Sequence, residues 1–238
     1  MKWKTYHTVN LTEEFLFKFV PIYRLKDFVN SGNIWFSRAD KFGDKMECII
    51  IPDLQNPPIN YTKILNRKKK TLISCWHLAN RESVAMWDTY SSRKKDRKNI
   101  AIRFRREDLI KAFTESLDLN EAVVSQNELI HGKIQYKDLI DSNTNKLNKS
   151  TVKYAAFRKE KAFSYELEYR FTIKSKKLFL LDGQGYLLGK TKDLKFDILI
   201  NPLLKKAEFR KLETEISNMG YSDRIQNSVL KEWFMPDR

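Results

Sequence analysis

The chain has little sulfur, little imidazole and no long apolar run. Its two cysteines, Cys48 and Cys75, are too few for a disulfide framework or a cysteine-based metal cluster, and they suit a reducing cytosol. The three histidines, His7, His77 and His131, are scattered, with no HExxH and no Cys/His ligand spacing, so no metal is expected. A phosphate-binding P-loop is absent. No GxSxG elbow occurs, although Ser–His–Asp sets can be drawn from distant positions and stay open. Gly183, Gly185 and Gly189 form no GxGxxG and follow no strand–helix pattern, which rejects a dinucleotide fingerprint. No apolar stretch approaches a membrane span, and Met1–Lys4 lacks a signal-peptide core. The expectation is a cytoplasmic protein with no membrane partner.

What is abundant is positive charge. Across 238 residues, 45 Lys and Arg face 30 Asp and Glu, a net charge of +15. Such a balance favours a polyanionic partner by electrostatics alone. The cations come in runs, Arg67–Lys70, Arg93–Lys98, Arg103–Arg106, Lys174–Lys177 and Lys205–Lys206, none of them a separate tail. The alternatives are a solubilising surface and an acidic protein partner. Hydrophobic residues at 42% and aromatics at 13% indicate a folded globular chain.

Periodicity predicts mixed elements. Residues 12–20 lead into Pro21, which blocks continuation of a helix and pushes Val20 toward an extended conformation, and Ile22–Arg24 reads as a short strand. Leu25–Ser31 reads as a helix stopped by Gly32, and Asn33–Ser37 as a strand. Thr71–Trp76 and Ile100–Phe104 are strands. Asn80 is expected to cap a helix over Arg81–Ser91, with Trp76 and Trp87 in the core. Glu107–Leu117 and Ala207–Met219 carry helical apolar spacing, the latter closed by Gly220. Lys133–Tyr136, Lys177–Leu181, Phe196–Ile200 and Ile225–Leu230 are expected strands, and Thr151–Lys161 a basic helix. His77 follows the first buried strand, where sites often sit; a structural or surface histidine is the alternative. Without a linker or repeat, residues 1–238 are expected to form a single α+β domain with a mixed, mostly antiparallel sheet flanked by helices.

One stretch stands out, Phe163–Ile173, rich in aromatic and β-branched residues. Read as a strand, it places Glu166, Glu168 and Arg170 on one face and Tyr165, Leu167, Tyr169 and Phe171 on the other. Two carboxylates so close resist joint ionisation, and the arginine can neutralise one of them. A solvated strand can carry the same row.

The ordered pieces Tyr23–Arg24, Gly32–Ser37, Phe42–Glu47, Ile73–Trp76, Met86–Tyr90, Ile100–Phe104 and Tyr165–Arg170 resemble a large bacterial family of unknown function. Its pattern runs Trp-x-Ser, Ser-Cys-Trp, Met-Trp-x-x-Tyr, Glu-x-Glu-Tyr-Arg. The likeness spans about residues 22–173. Gly43–Asp44–Lys45 departs from that pattern's Asn-Asp-Pro.

Arg24, Ser37 and Glu166–Leu167–Glu168, in that order, are also similar to toxin-type ADP-ribosyltransferases. That resemblance implies an ADP-ribosyltransferase-like fold and NAD as a substrate. Arg24 would hold the pyrophosphate with its planar fork and Ser37 would brace the carboxylate. Glu168 would stabilise the oxocarbenium-like species as nicotinamide leaves, Glu166 would orient or deprotonate the acceptor, and Tyr23 or Trp35 would stack on nicotinamide. It implies a bacterial toxin or phage-defence effector, with an antitoxin or acidic protein as a partner. The acceptor would be nucleic acid, single-stranded RNA favoured over DNA, held by Arg67, Lys68, Lys69 and Lys70 and by Arg93, Lys94 and Lys95. The other reading is a non-enzymatic nucleic-acid-binding protein in which Glu166, Glu168 and Arg170 form a structural charge network. A metal-free nuclease has less support, since no pair of histidines serves it.

Overall fold

Pro21 sets the first change of direction. Its fixed φ and missing N–H cost nothing at a helix start, where that donor has no intrahelical partner. The computed structural model describes residues 2–7, 11–44, 48–49, 60–91, 99–138 and 154–230. After β1 (Lys4–Tyr6), strand β2 (Phe15–Val20) ends at Pro21 and α1 (Ile22–Ser31) begins at once. Ile22–Arg24, expected as a strand, instead form the first turn of this helix. The amides of Arg24 and Leu25 reach the Pro21 carbonyl at 3.0 and 3.4 Å, while Leu25, Phe28 and Val29 give α1 one buried face. Gly32 ends it at φ 72°, and a Cβ there would meet the Gly189 carbonyl oxygen at 2.0 Å, so both conformation and close approach require glycine.

The chain continues through β3 (Asn33–Arg38), α2 (Tyr61–Lys69) and β4 (Thr71–Ala79). Asn60 caps α2, its side-chain oxygen accepting from the Lys63 amide at 2.8 Å. Helix α3 (Val84–Ser91) starts later than expected. The Ser83 hydroxyl accepts from the Met86 amide, and Asn80, the expected cap, accepts from the Glu14 amide instead. Next come β5 (Ile100–Arg105), α4 (Arg106–Glu115), α5 (Glu121–Val124), β6 (Glu128–Lys133) and β7 (Gln135–Lys137). Then follow β8 (Arg158–Glu160), β9 (Glu168–Lys174), β10 (Gly183–Leu187), β11 (Asp197–Ile200), α6 (Lys206–Asn218) and β12 (Ile225–Gln226).

Three further expectations are corrected. Over its described part, the basic helix at Thr151–Lys161 is a 3-10 turn, Ala155–Phe157, followed by β8. Pairing of β8 with β7 in parallel register supplies the backbone partners that a helix would have given. Lys177–Leu181 forms no strand; an arginine side chain takes up its carbonyls, as described below, and the strand falls at β10. The expected strand at Ile225–Leu230 shrinks to β12.

Contacts group the chain into two compact units. The first comprises Met1–Asn10, Ile34–Cys75 and Asn120–Tyr186. In it β1 lies parallel to β6, β6 antiparallel to β9, and β3 antiparallel to the start of β4, with β10 beside β3. Ile73, Ile130, Ile134 and Phe157 form its core with Cys48. The second comprises Leu11–Asn33, Trp76–Leu119 and Leu187–Arg238. There β2 is antiparallel to both the end of β4 and β5, β5 is antiparallel to β11, and β11 is parallel to β12. Phe17, Phe19, Met86, Trp87, Ala101 and Leu199 form its core, and Trp76 is buried as well. The architecture is thus α+β, with mixed and mostly antiparallel pairing. Among the described residues no helix is long and apolar enough to cross a membrane.

Candidate functional site

The stretch that drew attention in the sequence is built differently from a continuous strand. Lys161–Glu166 winds as a 3-10 turn, and Leu167 takes a left-handed conformation with φ 42° and ψ 49°. Strand β9 therefore begins only at Glu168. Glu168 and Arg170 keep the strand relation of shared face, but Glu166 does not: it lies on the turn. The two carboxylates still meet, because Lys159 on β8 reaches both. Its Nζ donates to Glu166 Oε2 at 2.5 Å and to Glu168 Oε1 at 2.6 Å. Arg170 Nε donates to Glu168 Oε2 at 2.6 Å, and Arg170 Nη1 to the Ala156 carbonyl at 2.8 Å. The Glu168 amide donates to the Tyr136 hydroxyl at 2.7 Å. Both oxygens of Glu168 are thus held, each by a cation.

Two cations and two carboxylates make this cluster neutral when all four ionise. Its burial is graded. Arg170 is fully buried and Glu168 nearly so, whereas Glu166 keeps 13% of its side chain exposed. Burial pushes the Glu166 carboxyl up to about 7, aided by its hydrogen bond to and the charge of Glu168, and against the pull of Lys159. Burial acts upward on Glu168 too, but Arg170, the Glu166 hydrogen bond and Lys159 outweigh it and hold that carboxylate well below the ordinary range. The like-charge pair thus behaves as its residue types imply, one acid remaining ionised and its neighbour taking the proton. Burial raises the Tyr136 hydroxyl, with the Glu168 charge adding to it, so the phenol stays neutral. Chemically, Glu166 can take up or release a proton near neutrality, and Glu168 is a fixed negative charge.

The other expected site residues fall in both units. Tyr23 and Arg24 lie on α1 in the second unit. There Arg24 stacks on Tyr23 at 5.3 Å and pairs with Asp27 at 3.5 Å. Trp35 and Ser37 lie on β3 in the first unit. Ser37 is opposite Ile73, and Trp35 covers Gly183, where a Cβ would come within 2.4 Å of its ring. His77 is buried on β4 between Phe17 and Phe19. Arg93, Lys94 and Lys95 lie outside the described residues.

The run Arg67–Lys70, expected in a loop, is the last turn and C-terminal cap of α2, where cations complement the helix dipole. Lys68 is buried and turns inward from the expected surface. Arg67 and Lys70 line a cleft of about 640 Å³ with Lys63, Asn60, Thr62 and Asn66. The sequence reading missed Lys63, Lys159 and Tyr136. Lys63 had a signal, since Lys63, Arg67 and Lys70 are spaced 4 and 3 and so share one helix face. Lys159 had none, because only the β7–β8 pairing brings it to the carboxylates.

No curated protein and no solved structure matches the chain. The model of the family described as Protein of unknown function (DUF2971) matches residues 86–171, a stretch that contains Tyr136, Lys159 and the Glu166–Arg170 cluster.

Proposed function

We propose that this protein binds the phosphate backbone of nucleic acid, single-stranded RNA foremost, in the cleft along α2. The observation that carries this is the lining of that cleft: three cations and two amide side chains on one helix face, with no carboxylate among the described lining residues. Successive cations at i, i+4 and i+7 advance by about 6 and 4.5 Å along the axis, a ladder that can follow an extended polyanion. Among the described residues no aromatic side chain lines the cleft, so contact falls on phosphate and sugar and carries little base selectivity. The net charge of +15 adds long-range attraction. The Lys159–Glu166–Glu168–Arg170 cluster then serves as a buried brace that ties β8 to β9. Fluorescence anisotropy with labelled single-stranded RNA over a salt series tests the proposal. Binding near physiological ionic strength that weakens steeply with salt is expected, and no measurable binding there overturns it.

A second reading, glycosyl transfer from NAD, is favoured by one observation: Glu166 is the less buried of the two carboxylates, and burial pushes its carboxyl up to about 7 beside a fixed charge. In that reading Glu166 handles the acceptor proton and Glu168 stabilises positive charge on the sugar. Incubation with labelled NAD and total cellular RNA, DNA and protein separates the two readings. Label transferred to nucleic acid, and lost in Glu166→Gln, supports transfer; no label in any fraction leaves the binding function alone.

A further inference from the structure

Residues Ser175–Asp182 connect β9 to β10 in the first unit and, with Lys174 at the end of β9, present an unusual surface. Leu180 is 91% exposed, Leu181 69% and Leu178 44%. Three exposed leucines in one short connection, two of them more than two-thirds exposed, are a marked cost in water unless something covers them. Lys174, Lys176 and Lys177 are exposed immediately before them.

The backbone of this connection is held in an uncommon way. Arg38 Nη1 faces three successive carbonyls, those of Phe179, Leu180 and Leu181, at 2.8, 3.1 and 3.0 Å. The Arg38 amide donates to the next carbonyl, that of Asp182, at 2.9 Å. The Ser175 and Phe179 amides donate to the carbonyls of Lys70 and Lys69. The nearby carboxylates are paired too: Asp40 with Arg38 at 2.6 Å, and Asp182 with Arg38 at 3.2 Å and Lys41 at 3.0 Å. The exposed tip is therefore apolar at its leucines, and its four consecutive carbonyls share the two N–H of Arg38 Nη1 and the Arg38 amide. Ordering it further on contact costs little, because Arg38 already fixes it.

We propose that this leucine tip docks the protein on an anionic membrane surface, with the leucines entering the boundary of headgroup and acyl chains and Lys174, Lys176 and Lys177 meeting the headgroups. Three features choose a bilayer over a macromolecular partner. A side chain as exposed as Leu180 needs a pocket in a protein partner, whereas a bilayer accepts it without shape matching. Backbone carbonyls already drawn into hydrogen bonds within the protein suit a medium without hydrogen-bond donors. Aliphatic side chains offer a nucleic acid no stacking surface. The lysines supply the charge attraction that a short apolar contact needs to become stable. Such attachment involves no spanning segment; the apolar tip is far shorter than a span.

Flotation of the full chain with vesicles tests this, using phosphatidylcholine alone and phosphatidylcholine mixed with phosphatidylglycerol. The wild type is expected to float with the anionic vesicles and not with the neutral ones. Leu180→Ser with Leu181→Ser should weaken that binding by about tenfold or more, with unchanged thermal unfolding and unchanged RNA binding. Lys176→Gln with Lys177→Gln should weaken it and reduce its salt dependence. No flotation with anionic vesicles overturns the proposal, as does equal flotation with neutral ones. Flotation untouched by the leucine substitutions overturns it as well, by showing general charge attraction elsewhere on the surface.

Discussion

Replacing Glu168 by Gln should destabilise the fold far more than the same change at Glu166, although the two carboxylates share Lys159. Glu168 is nearly fully buried, and each of its oxygens accepts from a cation at 2.6 Å. The amide of Gln offers only one acceptor oxygen and turns N–H donors toward a cation. Arg170, fully buried, is then left without its counter-charge. Breaking one partner out of a buried pair costs about 3–5 kcal/mol, the scale expected for Glu168→Gln. Glu166 behaves otherwise: raised to about 7, it is roughly half protonated at neutrality, and Gln resembles its protonated form. Glu166→Gln should cost about 1 kcal/mol or less at pH 7. Urea unfolding at pH 7 measures both, and an unchanged slope with denaturant shows that the midpoints report stability. A combined change of Lys159→Met, Glu166→Gln, Glu168→Leu and Arg170→Leu should recover much of the loss, because replacing all the charges of a buried network together is often neutral. A Glu168→Gln loss below about 1 kcal/mol, or one smaller than that of Glu166→Gln, would refute the brace.

Glu166 also predicts a pH dependence. Its folded form keeps a proton that the unfolded chain releases near 4.5, so its contribution is complete below pH 4.5 and is lost as pH rises through about 7, worth at most about 3 kcal/mol. His131 acts in the opposite sense: burial lowers it from 6.5 to about 4, so its contribution is present above 6.5 and is lost as pH falls toward 4. The wild-type profile between these limits is therefore flattened, and Glu166→Gln should make stability climb with pH from 5 to 7; parallel profiles would contradict this. Leu167 holds a left-handed conformation that costs a side-chain-bearing residue about 1–2 kcal/mol. Leu167→Gly should therefore raise the melting temperature, and a lower one would mean that the exposed leucine packs usefully.

Local pattern carried the parts of the fold whose determinants are local. Thr71–Trp76 and Ile100–Phe104 are continuous β-formers and became β4 and β5. Phe209 and Ile216 on the apolar spacing of α6 are buried as expected. At Phe163–Leu167 the aromatic composition misled, because propensity describes a half-buried pleated surface and these residues are mostly exposed on a turn. The nearness of Glu166 and Glu168 was legible, but its cause was not. It rests on Lys159, which looked like part of a basic helix until β7 paired with β8. Lys177–Leu181 reads as a strand by its leucines, but its carbonyls go to a single arginine more than a hundred residues earlier, which no local window shows.

The most direct test of the nucleic-acid reading is the salt dependence of single-stranded RNA binding in the wild type and in Lys63→Gln with Arg67→Gln and Lys70→Gln. Each neutralised phosphate contributes about 0.7 to the log–log slope for a single strand, so three contacts set a difference of about 2. The cleft account predicts a triple variant that binds more weakly to every RNA sequence, with a slope flatter by that amount. A triple variant with wild-type affinity and slope would contradict it.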